Sequence, residues 1–317
     1  MLHSKLNVRT GMLQVDDTVA KYCWTELPDW MDAAINADSE LITSVQQLSP
    51  EVLQKLFDTP NDFAEKHVPG YVKDIKHRLL SGSGFVLIRC GGSHTDQKLR
   101  AIYALYSLQI GTLNDRYGFF FDVVDQGLDY TKEAVPVSKT RAATGYHTDS
   151  TAKTYLPDAV GLLCLQPAAT GGDSLLTNAA DLYVHLQTAH PSVLPEMKKD
   201  VIRDVITPGT VNNVAAIHEN AFPIFSWPNE GFTFRYMRFW IETAFQKTGQ
   251  ELPAQLLRGL NATDDFFQEK SNSIQFRMER GDILFINNRF ICHNRTAFEN
   301  DPATTEPRKM VRTWINF

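Results

Sequence analysis

The stretch Gly145-Tyr146-His147-Thr148-Asp149-Ser150 is where the sequence first shows chemistry. Read as an extended strand over about 139–149, it puts His147 and Asp149 on one face, because side chains alternate with a period of two. An imidazole and a carboxylate side by side supply two ligands to a divalent metal. His and Asp two apart also occur by chance, so the pattern needs a third ligand and something for the metal to act on. Both are sought near the C-terminus, between Gly281 and Trp314.

There, Gly281-Asp282-Ile283-Leu284-Phe285-Ile286 reads as an apolar strand, followed by a polar Asn287-Asn288-Arg289 turn and then His293. Two histidines and one carboxylate with open positions form the facial triad of non-haem Fe(II) oxygenases. A lone histidine is more often a hydrogen-bonded structural residue, so His293 needs support from elsewhere. It comes from Arg308-Lys309-Met310-Val311-Arg312-Thr313-Trp314, which as a strand carries Arg308, Arg312 and Trp314 on one face. Arginines facing a sheet interior need anionic partners, and the planar guanidinium fork suits carboxylates. The plainer alternative is a pair of arginines facing solvent or paired with Asp and Glu.

Bulk properties bound the answer. The chain has 317 residues, 43% hydrophobic and 21% charged, as in an ordinary globular protein. Its net charge of −6 argues against nucleic acid as a partner, since phosphate binding needs a basic face. Cys23, Cys90, Cys164 and Cys292 lie far apart without a CxxC pair, which predicts reduced thiols in a cytoplasmic protein. The N-terminus lacks the apolar region of a secretory signal, and no run is long enough for a membrane span.

Residues 1–75 read as a partly helical lead-in, with a helix start at Ser49-Pro50-Glu51. Gly84–Arg89, Tyr117–Val124, Val160–Pro167 and Asp173–Thr177 read as strands. Ser93-His94-Thr95-Asp96 resembles a capping box before a helix carrying Leu99, Ile102, Tyr103 and Tyr106. Asn178 caps a helix bearing Leu182 and Leu186. Val201–Ile206, Ile224–Trp227 and Phe232–Tyr236 read as strands, and helices are expected over about 238–248, stopped by Gly249, and 251–260. Ile274–Met278 and Asp282–Ile286 alternate in strand fashion either side of Gly281. Short strands with flanking and inserted helices predict a mainly β fold with a sandwich or barrel core. One domain over 1–317 is expected, with the core over 80–317 and a helical insertion over about 178–270.

The whole set of motifs resembles the TauD/TfdA (taurine dioxygenase-like) family of Fe(II)/2-oxoglutarate oxygenases. The resemblance rests on His147-Thr148-Asp149, Gly171-Gly172-Asp173-Ser174, the Gly281-Asp282 strand running to Asn287-Asn288 and His293, and Arg308-x3-Arg312. It implies a double-stranded β-helix, or jelly roll, with Fe(II) on His147, Asp149 and His293. It further implies that Arg308 pairs with the distal carboxylate of 2-oxoglutarate, assisted by the Ser174 hydroxyl where relatives often have Thr. Arg312 would face the other end of the cosubstrate or an acidic group on the substrate. The implied reaction consumes O2, releases succinate and CO2, and hydroxylates a small carboxylate or amino-acid-like metabolite. Desaturation, cyclisation and epoxidation use the same triad, and a homo-oligomer is compatible with the resemblance. Arg235 and Arg238 are read from the residues alone as candidate contacts for an anionic or zwitterionic substrate, or else as surface arginines.

Two other classes compete. A zinc hydrolase or isomerase would use the same ligands without 2-oxoglutarate and tolerate a neutral residue at Arg308. A non-catalytic jelly-roll binding protein would keep the fold without turnover. Asn287, Asn288 and Arg289 are expected to orient His293. Tyr146 and Cys292 alternate away from the ligands into packing, and His185, His190 and His218 are read as structural or surface residues.

Overall fold

The apolar run at 159–166 forms a strand whose two faces are both buried, and this double burial organises the molecule. The computed structural model describes residues 75–317 apart from 90–93, 115, 117, 129–134, 136, 152–153, 205–212, 229–230 and 302–305. The lead-in helix expected from Ser49, together with Cys23, Cys90 and Ser93, lies outside the described residues.

The principal strands are β1 (Phe85–Ile88), β2 (Thr112–Leu113), β3 (Phe121–Val124), β4 (Ala159–Gln166), β5 (Ser174–Asn178), β6 (Ser273–Phe276), β7 (Ile283–Asn287), β8 (Ile291–Arg295) and β9 (Lys309–Asn316). All pair antiparallel. The larger sheet runs β1-β7-β4-β9, with β3 and β2 end to end along the far edge of β9. The smaller sheet runs β6-β5-β8.

Period-two alternation sorts the larger sheet into two cores. Val86, Ile88, Leu163, Leu165, Ile283, Phe285, Val311 and Ile315 face outward against helix α1 (Asp96–Ile110), where Leu99, Ile102, Tyr103 and Tyr106 cover them. Phe85, Leu87, Val160, Cys164, Leu284, Ile286 and Met310 face the smaller sheet. Burial of this kind stabilises by about 1.5–3 kcal/mol for each large apolar side chain. Gly161 interrupts the run for a steric reason: a Cβ there would sit 2.6 Å from the Tyr103 hydroxyl and 2.9 Å from Phe285 and Thr313.

Between β5 and β6 lies the helical insertion. Helix α2 (Ala179–Ala189) starts at Asn178, whose side chain accepts from the Ala180 N–H. Helix α3 (Arg238–Thr248) ends at Gly249, which takes the left-handed conformation at φ 66°. Helix α4 (Ala254–Gln268) runs further than the sequence pattern suggests and buries Leu256, Leu260, Phe266 and Phe267.

Several expectations change. The stretch before His147 is largely irregular, with a 3-10 turn at Val137–Lys139, and His147 joins the sheets through isolated bridges to His293 and Met237. The strands expected at 201–206, 224–227 and 232–236 shrink to two-residue pairs: Val201–Ile202 with Ala221–Phe222, and Phe225–Ser226 with Thr233–Phe234. The segments either side of Gly281 do not pair with each other. β6 belongs to the smaller sheet and β7 to the larger, so Gly281 (φ 89°) turns the chain from one sheet to the other.

Candidate metal centre and its cavity

His147, Asp149 and His293 converge between the two sheets, with one ligand atom from each lying within 4.8 Å of the others. The Nε2 atoms of both histidines are 3.6 Å from Asp149 Oδ1. Backbone pairing brings the histidines together: His147 and His293 exchange N–H···O bonds of 2.9 Å each. β8 carries His293, and its register against β5 sets His293 opposite Leu176.

The local backbone aims each ligand. His147 Nδ1 lies 2.9 Å from the Gly145 carbonyl oxygen, which only accepts, so the proton sits on Nδ1 and Nε2 keeps its lone pair. Burial, and then the neighbouring His293, push the His147 pKa down to about 3, leaving the ring neutral for a metal. After Asp149 the chain turns at Ser150, the one non-glycine residue of positive φ (63°) among those described. The Ser150 hydroxyl donates to the Tyr155 carbonyl at 2.7 Å.

Asp149 is nearly sealed and heavily partnered. Its Oδ2 accepts from the Trp314 indole N–H at 2.6 Å and pairs with Arg312 at 3.2 Å, while Oδ1 faces the histidines. Burial would raise the carboxyl, but Arg312 and both histidines hold it well below the usual carboxylate range. Asn288 clasps the Asp149 backbone: its Oδ1 accepts from Asp149 N–H at 2.7 Å, and its Nδ2 donates to the carbonyls of Asp149 and Pro157 at 3.1 Å. Asn287 donates to the Leu79 carbonyl and accepts from Arg289 N–H, while Arg289 pairs with Asp158. The Asn-Asn-Arg turn therefore holds the Asp149 segment, where the sequence suggested His293.

A half-open cavity of about 90 Å³ adjoins this cluster, with His147 and His293 in its lining. Val160, Leu162, Leu176, Leu284, Ile286 and Met310 supply its apolar walls, and His147, His293, Ser174, Arg295, Arg308 and Arg312 its polar groups. The face predicted to carry Arg308, Arg312 and Trp314 is the face toward the ligands. Arg308 is buried, lies 5.2 Å above the Phe298 ring, and has no carboxylate within ion-pair distance among the described residues. Burial lowers its pKa to about 10. Gly172 (φ 75°) makes room for it, since a Cβ there would come within 3.2 Å of Arg308 Nε. Arg312 lies between the rings of Phe121 and Trp314, 5.4 and 5.2 Å from their centroids.

Neither Arg235 nor Arg238 lines this cavity. Arg238 donates to Glu242 at 2.7 Å, Asp264 at 2.6 Å and Asn261 at 2.9 Å, on the outer face of α3 and α4. Arg235 lies 4.3 Å over the Phe222 ring. Tyr146 packs on Phe267, and Cys164 and Cys292 are free, buried thiols. His185, His190 and His218 are exposed. The sequence reading missed Arg295, which lines the cavity, and the bond from Trp314 to Asp149. Both carried a signal, since Arg295 shares a strand face with His293, and Trp314 with Arg312.

Comparison with known proteins agrees with this geometry. Residues 54–314 match the model of the family described as taurine catabolism dioxygenase TauD, TfdA. FR-33289 synthase of Streptomyces rubellomurinus (strain ATCC 31215) is 26% identical over 264 residues, covering 81% of this chain and 75% of that protein. Uridine-5'-phosphate dioxygenase of a Streptomyces species is 27% identical over 188 residues, covering 56% and 63%. Among solved structures, asparagine oxygenase in complex with Fe(II), 3-hydroxyasparagine and succinate aligns with a TM-score of 0.62 at 14% identity, over 92% of both chains. Non-heme iron oxygenase OrfP with Fe and alpha-ketoglutaric acid aligns at 0.59 and 14% identity, over 95% of this chain and 93% of that one. These structures share the double-stranded β-helix. No helix among the described residues is long and apolar enough to cross a membrane.

Proposed function

We propose that this chain, which belongs to the TauD/TfdA family of Fe(II)- and 2-oxoglutarate-dependent dioxygenases, hydroxylates a small carboxylate or amino-acid-like metabolite and releases succinate and CO2. The observation that carries the reading is Arg308: a buried guanidinium with no carboxylate partner among the described residues, in the cavity lined by His147 and His293, which cluster with Asp149. A zinc hydrolase would need no 2-oxoglutarate and would tolerate a neutral residue at Arg308.

The residues fit the cofactors. Two imidazole nitrogens and one carboxylate oxygen suit Fe(II) and leave positions for a chelating 2-oxo acid and O2. Bound there, iron couples oxidative decarboxylation of 2-oxoglutarate to oxidation of a substrate C–H bond. Arg308 would take the distal carboxylate, with the Ser174 hydroxyl beside it, because charge-assisted bonds of this kind are strong where water is excluded. The walls of Val160, Leu162, Leu284 and Ile286 would keep water from the chain between the two carboxylates. Arg312, at the edge of the cavity, would meet an acidic group of the substrate while still holding Asp149.

The likeness in fold to proteins solved with 3-hydroxyasparagine and 3-hydroxyarginine supports a substrate of amino-acid size. Arg235 and Arg238 are left out of this assignment, since Arg238 is engaged by Glu242 and Asp264 and neither residue lines the cavity. A cytoplasmic protein acting on a small molecule, without nucleic acid, accords with the net charge of −6.

Anaerobic titration of the Fe(II)-loaded protein with 2-oxoglutarate tests the reading. The weak visible charge-transfer band of a chelated 2-oxo acid should appear and saturate, and a screen of carboxylates and amino acids should then stimulate succinate release. A folded, iron-loaded protein that never develops the band would sink it. The mass of the product separates hydroxylation, a gain of one oxygen, from desaturation or ring closure.

A further inference from the structure

Arg308 is not alone at its end of the cavity. β8 pairs Arg295 with Ser174 across the smaller sheet, so the residue expected to carry the cosubstrate-binding hydroxyl has an arginine as its cross-strand neighbour. Arg295 is buried and lines the same cavity as Ser174 and Arg308. The Phe298 ring lies under both guanidiniums, with Arg295 Cζ at 4.8 Å and Arg308 Cζ at 5.2 Å. Arg295 Nη2 donates to the carbonyls of Thr140, at 2.8 Å, and Ala142. Its Nε is buried and has no hydrogen-bond partner among the described residues. Asp125, an acid that acts on Arg295 through its charge, is engaged by Arg141 at 3.2 Å.

Two buried guanidiniums sharing one ring, with no carboxylate on either among the described residues, make a costly arrangement that a bound anion relieves. A carboxylate has about four lone-pair sites, enough for two guanidiniums and a hydroxyl together. We propose that Arg295 is a second recognition residue for the distal carboxylate of the cosubstrate, so that Arg295, Arg308 and Ser174 form a three-sided anion site selecting a 2-oxo dicarboxylate over a 2-oxo monocarboxylate. The proposal rests on the function proposed above and adds the residue that sharpens its cosubstrate choice. The Nη2 bonds to Thr140 and Ala142 fix the guanidinium from behind. They also tie the anion site to the segment that leads into His147 and Asp149.

A residue that only braced that segment would affect every 2-oxo acid alike, and this separates recognition from support. The Fe(II)-loaded protein is titrated without oxygen with 2-oxoglutarate and, separately, with 2-oxobutyrate, which shares the chelating end and lacks the distal carboxylate. Wild type, Arg295→Gln and Arg295→Lys are compared through the visible charge-transfer band, with iron content measured on the same samples. Arg295→Gln should weaken 2-oxoglutarate at least about tenfold. It should leave 2-oxobutyrate within about twofold, because no contact to a distal carboxylate exists to lose. Arg295→Lys keeps the charge and should recover part of the loss. Equal weakening of both acids, or unchanged 2-oxoglutarate binding, overturns the proposal. If Arg295→Gln does not fold, Arg295→Lys carries the test, and a Lys protein that weakens both acids by the same factor overturns the proposal too. A wild type with no band at all would instead bring down the function on which the proposal rests.

Discussion

The two ends of the cavity are finished to different degrees. At the metal end the protein completes its own interactions: Asp149 has Trp314 and Arg312 on one oxygen, its backbone is clasped by Asn288, and His147 is fixed by the Gly145 carbonyl. At the other end Arg308 and Arg295 stand over one aromatic ring without a carboxylate partner among the described residues. The ligand geometry is thus set before a metal arrives, while the counter-charge at the far end is left for a ligand to bring. That division can be broken experimentally, because the two ends should answer mutation with opposite signs in the ligand-free protein.

The largest effect belongs to the metal end. Asp149→Ala removes a ligand and strands the Trp314 N–H and the Arg312 guanidinium, so the metal-free protein should melt at a lower temperature. Fe(II) affinity, read by metal analysis after dialysis, should fall by more than the roughly 10- to 100-fold typical of losing an outer hydrogen-bond partner of a metal ligand, and turnover should vanish. An unchanged melting temperature would mean that the Asp149 network contributes nothing to the resting fold.

Arg308→Met should do the reverse to the empty protein. An uncompensated buried cation is replaced by an apolar side chain of similar reach, which removes the desolvation penalty of that ion. The melting temperature without cosubstrate should hold or rise. The dissociation constant for 2-oxoglutarate should rise by about 30-fold or more, the result of losing 2 kcal/mol or more from a buried charge pair. A fall in melting temperature like that of Asp149→Ala would erase the contrast between the two ends.

Trp314→Phe is a finer probe of the metal end. It keeps the aromatic ring beside Arg312 and deletes only the N–H that reaches Asp149 Oδ2. Removing an outer partner of this kind costs about 10- to 100-fold in metal affinity. The protein should stay folded, with Fe(II) affinity reduced in that range and the 2-oxoglutarate dissociation constant at saturating iron unchanged. Iron affinity equal to wild type would show that Arg312 alone suffices to orient the carboxylate.

How much of this was legible in the sequence follows the range of each interaction. The core strands were readable because the larger sheet is buried on both faces, which leaves continuous apolar runs such as 160–165. The clustering of His147, Asp149 and His293 was anticipated from strand alternation, which holds for His293 and for the Arg308 face, while His147 and Asp149 sit in a largely irregular segment. Of the two readings offered for Arg238, substrate contact or surface arginine, the structure favours the second, because α4 supplies Asp264 and Asn261 from a separate element, and nothing in the local pattern announces them. The hold of Asn288 on Asp149 was invisible for the same reason. The short strands at 201–202 and 233–234 were overestimated because β-prone residues there pack as core rather than extend a ladder.

The smallest predicted effect tests the cationic end most gently. Ser174 faces the cavity from β5, opposite Arg295, and is nearly buried. Ser174→Ala deletes one hydroxyl and leaves both guanidiniums in place. A single hydrogen bond to a charged group contributes about 1.5 kcal/mol net at the low end, so 2-oxoglutarate should bind roughly tenfold more weakly. Ser174→Thr keeps the hydroxyl and adds a methyl that a strand accommodates well, so its affinity should stay close to wild type. The two variants measured together by the anaerobic titration separate the hydroxyl from the space around it. If Ala and Thr weaken binding equally, the position matters for shape alone and the anion is held by the arginines without it. If Ala alone weakens binding, the far end of the cavity is completed by a neutral donor as well as by charge, as the metal end is by Trp314.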